Sequence, residues 1–219
     1  MDKAKNIITL SIIISILTFF LGILLGYILY QYSFQQSILQ INNINSLVIS
    51  AQYLAQSQKL ECTENYFSFL QYLKSQIAQI GLELTYLESP ENIYFNKGEV
   101  DYLKSQYFNL EYLHFLLTRN YIEECDYTNF TLILYFYNNK VCSTECYNEG
   151  DILTYLYTKY YDSLYIYSFD SSYPNYFIRY YDLKYNITTW PFIIMIKNNG
   201  TFIFRGFINE STLENYLTS

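Results

Sequence analysis

From Asn6 to Gln58 the chain carries no charged residue, and within that stretch Ile7 to Tyr30 is almost continuously apolar. About 20 apolar residues span the hydrocarbon core of a bilayer as a helix, so residues 7–30 are read as a transmembrane helix. A secretory signal peptide would have a shorter apolar run followed by small residues suited to cleavage. Here the run continues into Tyr27, Tyr30 and Tyr32, which favours an uncleaved signal-anchor. Beyond it, Phe34, Ile38, Ile41, Ile44, Val48, Ala51 and Ala55 recur at helical spacing with Gln, Asn and Ser between them, an amphipathic stalk over residues 31–61. Next, Tyr66, Leu70, Leu73, Ile77, Ile80, Leu84 and Leu87 alternate steps of four and three, the seam of a coiled coil, until Ser89-Pro90 breaks it. Val100, Leu103, Tyr107, Leu110, His114 and Leu117 repeat the spacing. Neither seam is buried alone, so residues 62–124 are expected to form an antiparallel helical hairpin, Thr63 to Leu87 against Glu99 to Arg119.

After Asp126 the period changes. Short runs, Thr131–Tyr137, Ser163–Phe169, Phe192–Lys197 and Thr201–Phe207, have the length and the Tyr, Phe and Ile content of buried strands. Asn199-Gly200 joins the last two as a hairpin turn, because a type I′ turn needs positive φ. Helices are expected at Glu149 to Tyr160, at Tyr176 to Tyr185 and at the C-terminus. There Asn209 or Ser211 is available as a cap, and Leu213 and Leu217 face inward. The order over residues 125–219 is β-α-β-α-β-β-α.

Composition narrows the function. The 219 residues allow one or two small domains, and 51% hydrophobic content supplies a core. The 28 Tyr and 16 Phe are spread along the chain and read first as core filler, second as a binding surface. A net charge of -7 with only 13 Lys plus Arg argues against a nucleic-acid partner. Lys3 and Lys5 precede the anchor and no base follows until Lys59. The positive-inside rule therefore puts residues 1–6 in the cytoplasm and the body outside, at the cell membrane. Gly22 and Gly26 form a GxxxG that would pair two copies as a homodimer, or are two ordinary membrane glycines. The sequons at Asn129, Asn186, Asn199 and Asn209 fall on the outer side, open to glycosylation, but such a composition gives about three by chance, so four decide nothing. His114, the only histidine, lies on an apolar seam and reads as a packed residue. No phosphate loop, H-E-x-x-H or nucleophile elbow is present, and no cofactor is expected.

The chemistry lies in the cysteines. Two hairpin legs of similar length bring Cys62 and Cys125 together at its base, where a structural bridge is expected. The alternative is that one is free or acts as a relay thiol to Cys142. The other two follow the first strand as Cys142-Ser-Thr-Glu-Cys146, and Trp190-Pro191 opens the third.

That strand order, a cysteine pair after the first strand and a proline before the third resemble the thioredoxin fold. The resemblance covers about residues 125–219. It implies that Cys142 is the nucleophile at a helix N-terminus, Cys146 the resolving thiol, Pro191 a cis proline facing them and Trp190 a peptide-contacting residue. Anchor, hairpin and domain together look like membrane-anchored prokaryotic thioredoxin-family proteins. The spacing here is C-x-x-x-C where the usual motif has C-x-x-C, and Glu145 and Glu149 oppose thiolate formation, which implies a comparatively reducing couple. A C-x-x-x-C on this fold also resembles copper-delivery proteins, but those add a histidine and this domain has none; no metal is expected. Two functions stay open. One is a thiol-disulfide oxidoreductase or isomerase acting on extracytoplasmic protein thiols or disulfides, reset by a membrane redox partner. The other is a non-catalytic scaffold with structural disulfides that binds a protein partner.

Overall fold

The computed structural model describes residues 2–56, 62–88, 97–125, 130–142, 144–197 and 200–218. Helix α1 runs unbroken from Asp2 to Gln56. Its Leu10–Leu29 stretch has a mean hydropathy of 2.7 and nothing packed on it, a helix long and apolar enough to cross a membrane. Further along, Ile44, Val48 and Ala51 are buried at spacings of four and three. The stalk is therefore a working face of the body.

Thr63 caps helix α2 (Glu64–Leu87), its Oγ1 accepting the Tyr66 amide at 3.4 Å. The buried residues of α2, Leu70, Leu73, Ile77, Ile80, Leu84 and Leu87, are the seam read from the sequence, joined by Lys74. Helix α3 extends from Lys97 to Glu124, past the expected end at Arg119, because Tyr121 continues the seam one turn beyond Leu117 and is itself buried. Helices α2 and α3 pack together but do not bury the seam alone. Leu103, Leu110, Leu117 and Tyr121 of α3 share one core with both α2 and the Ile44–Ala51 face of α1, so three helices bury the seam. The reason is that α3 is apolar on more than one side. Its Phe108 and Phe115 enter a second core, beneath the sheet.

That sheet has the order β2-β1-β3-β4, with β1 at Thr131–Tyr137, β2 at Leu164–Asp170, β3 at Phe192–Lys197 and β4 at Gly200–Arg205. β1 runs parallel to β2 and antiparallel to β3, which pairs antiparallel with β4. Three helices connect or close the strands: α4 (Thr144–Lys159), α5 (Tyr176–Tyr185) and α6 (Glu210–Thr218). Leu132, Leu134 and Phe136 of β1 face α5 and α3, while Ile133 and Tyr135 face α4 and α6. Burial on both faces explains why TLILYFY shows no alternation. Gly200, at φ +143°, opens β4 opposite Lys197; Asn199 lies outside the described residues, as does Asn129. Asn209 accepts the Thr212 amide at 2.9 Å and caps α6. Helix α4 begins at Thr144, well before the expected Glu149. Its first turns lack apolar periodicity because the inward positions are held by Cys146 and Glu149.

Candidate functional site

Strand β1 delivers the chain to the site. Just past its end, the Asn138 carbonyl accepts the amides of Val141 and Cys142, and its side-chain oxygen accepts the Lys140 amide at 3.0 Å. This tight turn sets Cys142, half-buried, immediately before α4, and leaves Cys146 buried in the first turn of that helix. The two form a disulfide with Cα atoms 5.8 Å apart. The x-x-x spacing closes because Cys142 is not helical and need not follow the helix path. Tyr135, on the strand beneath, donates its hydroxyl to the Cys146 carbonyl at 2.7 Å and fastens that turn to the sheet.

One turn further, the two carboxyls near the pair differ in their surroundings. Glu145 is exposed, but Glu149 is completely buried. Its Oε2 accepts the Ile208 amide at 2.8 Å, and its Oε1 has no partner. Burial pushes the carboxyl up to about 7, with the Ile208 hydrogen bond pulling the other way. Glu149 thus titrates in the neutral range, on the helix that carries Cys146.

The peptide bond between Trp190 and Pro191 is cis. Pairing of Phe136 with Phe192 brings this segment to the same end of the sheet as the Cys142 turn. Trp190 packs against the core on the α5 side, and its indole nitrogen is buried without a hydrogen-bond partner.

The disulfide borders a cleft of about 1220 Å³. Cys142 and Cys146 belong to the α4 wall, α2 and α3 form the facing wall, and the outer edge of β2 forms the floor. Among the described residues that line it are many tyrosines, including Tyr107, Tyr137, Tyr147 and Tyr157; neither Trp190 nor Pro191 is among them.

Polar contacts join the cleft walls. Glu111 of α3 accepts the Ser168 amide of β2 at 3.2 Å and the Tyr107 hydroxyl at 2.8 Å, and burial lifts its carboxyl to about 8. Lys74 of α2 donates to the Tyr161 carbonyl at 2.9 Å while its ammonium stands over the rings of Tyr157, Tyr161 and Tyr165. Burial lowers it to about 8. Lys104 bridges Glu88 at 2.7 Å and Asp170 at 3.2 Å, and Asp170 in turn accepts the Asn139 amide in the turn before Cys142. None of these five charged residues stood out in the sequence. The signal that was available is polarity on a seam: Lys74 and Glu111 sit among buried apolar positions of α2 and α3.

His114 is buried between α2 and β2. The Leu70 carbonyl, 3.0 Å from Nε2, only accepts, so Nε2 carries the proton and Nδ1 accepts from the Tyr167 hydroxyl at 2.9 Å. Burial lowers its pKa to about 4. Among the described residues no three metal-ligating side chains converge. The remaining cysteines, Cys62 ahead of α2 and Cys125 after α3, are joined by a disulfide with Cα atoms 5.6 Å apart.

No known family matches the chain, and no curated protein matches it. Among solved structures it is similar to thioredoxins. Deadhead, the germline-specific thioredoxin of Drosophila melanogaster, is 18% identical over 48% of this chain and 91% of that one, at a TM-score of 0.36. Fasciola hepatica thioredoxin is 19% identical over 47% and 90%, also at 0.36. Thioredoxin-2 of the malaria parasite is 19% identical over 41% and 82%, again at 0.36.

Proposed function

We propose that the chain is a membrane-anchored thiol-disulfide oxidoreductase or isomerase whose body faces away from the cytoplasm and whose working pair is Cys142 and Cys146. The observation that carries this reading is a disulfide at the end of the central strand, with one sulfur-bearing residue half-buried in a turn and the other buried in a helix, both in the wall of an open cleft. A purely structural bridge has no need of a cleft.

In the exchange, a client thiolate attacks the Cys142 sulfur. The Cys142–Cys146 bond breaks, a client–Cys142 bond forms, and Cys146 leaves as a thiolate that takes up a proton. A second client thiolate attacks the mixed disulfide, and Cys142 leaves and is protonated. The client dithiol is oxidised by two electrons to a disulfide and the pair is reduced to two thiols. The same steps in reverse reduce or reshuffle a client disulfide. Trp190 and Pro191 are assigned to the far side of the Cys142 turn, where a client long enough to pass the disulfide would reach them.

A Cys146→Ser variant tests the reading. With the resolving thiol gone, Cys142 should accumulate mixed disulfides with extracytoplasmic proteins, visible as adducts that vanish on reduction. Absence of adducts, together with a Cys142–Cys146 bridge that resists strong reductant until the protein unfolds, would leave the scaffold function instead. Anchoring is tested separately. A membrane-impermeant protease applied to intact cells should cleave the body, and full protection until lysis would reverse the topology.

A further inference from the structure

Gly150 occupies the middle of α4, one turn beyond Cys146, and lines the cleft. Glycine destabilises a helix interior relative to alanine, so a helical glycine usually marks a close approach by a neighbour or a left-handed φ. Gly150 has neither. Its φ is not positive, and a Cβ built on it would meet nothing within 4 Å. Gly81 of α2 shows the contrast, with the Tyr107 hydroxyl 3.2 Å from where its Cβ would lie. Open space therefore stands over Gly150, as it does over Gly22 and Gly26 of α1, but Gly150 lines the cleft that holds the disulfide.

The charges around the cleft have a sign. Among the described lining residues Glu88, Asp101 and Asp151 are exposed acids, Glu88 being paired with the buried Lys104, and Lys97 is the exposed base; the other base, Lys74, is buried over its tyrosine rings. Tyr147, three-quarters exposed beside Cys146, adds an apolar contact surface. At about 1220 Å³ the space exceeds the pockets that small ligands usually fill.

Resting on the oxidoreductase reading, we propose that the client is a cysteine-bearing polypeptide segment with basic flanking residues. It lies between α4 and the α2–α3 wall with its backbone against Gly150. The helical hairpin is then half of the client site, and the disulfide is approached from the cleft.

The test compares the full chain in detergent, in its oxidised form, with three reductants: 2-mercaptoethanol, a single-cysteine peptide flanked by lysines, and its counterpart flanked by glutamates. The lysine peptide should reduce the pair about tenfold faster than the glutamate peptide at low salt, with the difference shrinking as salt rises. Asp101→Lys with Asp151→Lys should reverse that order. Gly150→Leu should slow the lysine peptide relative to 2-mercaptoethanol by at least about tenfold, since a client touching the wall cannot share space with the new side chain. Gly150→Ala guards against misfolding, because it favours the helix and should raise the Tm while still slowing the peptide. Equal rates for the two peptides, or a Gly150→Leu effect as large on 2-mercaptoethanol as on the peptide, would overturn the cleft proposal and leave the redox reading standing. No reaction of the folded chain with any of the three thiols would overturn both.

Discussion

The Glu111 carboxylate accepts the backbone amide of Ser168 at 3.2 Å, so a helix side chain closes the outer edge of strand β2. An open edge presents unpaired amides to other chains; here α3 covers it and ties the helical bundle to the sheet. The cost is a buried acid raised from 4.5 to about 8. Between those values the folded state holds a proton that the unfolded state has lost. Stability therefore falls as pH rises through this window, at no more than about 1.4 kcal/mol per unit. Glu149 adds a slope of the same sign up to about 7, and His114 opposes both between about 4 and 6.5. Replacing Glu111 with Gln isolates its share. The variant should match the native chain near pH 4 and gain on it steadily up to pH 8 in denaturant titrations; parallel pH profiles would show that Glu111 titrates normally.

His114 should stay neutral through the whole physiological range. Its NMR titration is expected near 4, well below the ordinary 6.5, with the proton on Nε2. His114→Phe would leave the Tyr167 hydroxyl and the Leu70 carbonyl without their partner inside the core, at a cost of about 2 kcal/mol or more. A titration near 6.5 would mean that the α2–β2 contact is open to water.

What the residue pattern disclosed, and what it hid, follow from the same physics. The strands were readable because Val-poor but Tyr-, Phe- and Ile-rich runs of six or seven residues between polar turns have few other solutions, and the β1 run lacks alternation because both its faces are covered. The α2 seam was readable because one face carries the burial. Helix α3 misled because it serves two cores: its Leu103–Leu110–Leu117 line is coiled-coil-like, while Phe108 and Phe115 point to the sheet. A periodicity argument assigns one face per helix. The start of α4 was hidden for a related reason, since Cys146 and Glu149 occupy inward positions without being apolar markers. The cysteines of the site could be named from their place after β1, but the cleft depends on the hairpin lying beside α4, a relation between distant segments that no local pattern encodes.

The Cys62–Cys125 bridge links residues 63 apart in sequence. Closing a loop of that size removes enough freedom from the unfolded chain to contribute about 4 kcal/mol in the chain-entropy description. Cys62→Ser with Cys125→Ser should lower stability by roughly that amount in denaturant titrations, while the Cys142–Cys146 pair remains reducible. If the double variant also lost thiol exchange in a still-folded protein, the bridge would be a relay and not a clasp.

The redox couple should respond differently to its two neighbouring carboxyls. Glu145 is exposed and adjacent to Cys146, so its charge opposes the thiolate through water and salt. Glu145→Gln should stabilise the thiolate of the reduced pair and raise the reduction potential, with an effect that weakens as salt is added. Glu149 is buried on the same helix, and burial holds its carboxyl near 7, so it is neutral in mild acid and charged only above that value. Glu149→Gln should therefore leave the potential unchanged at pH 5.5 and raise it at pH 8.5, and salt should barely alter the difference because the group is shielded from ions. Potentials measured at both pH values, at low and high salt, separate the two residues. An equal shift at pH 5.5 and 8.5 on replacing Glu149 would mean that the carboxyl is ionised throughout, and that burial does not hold it near 7.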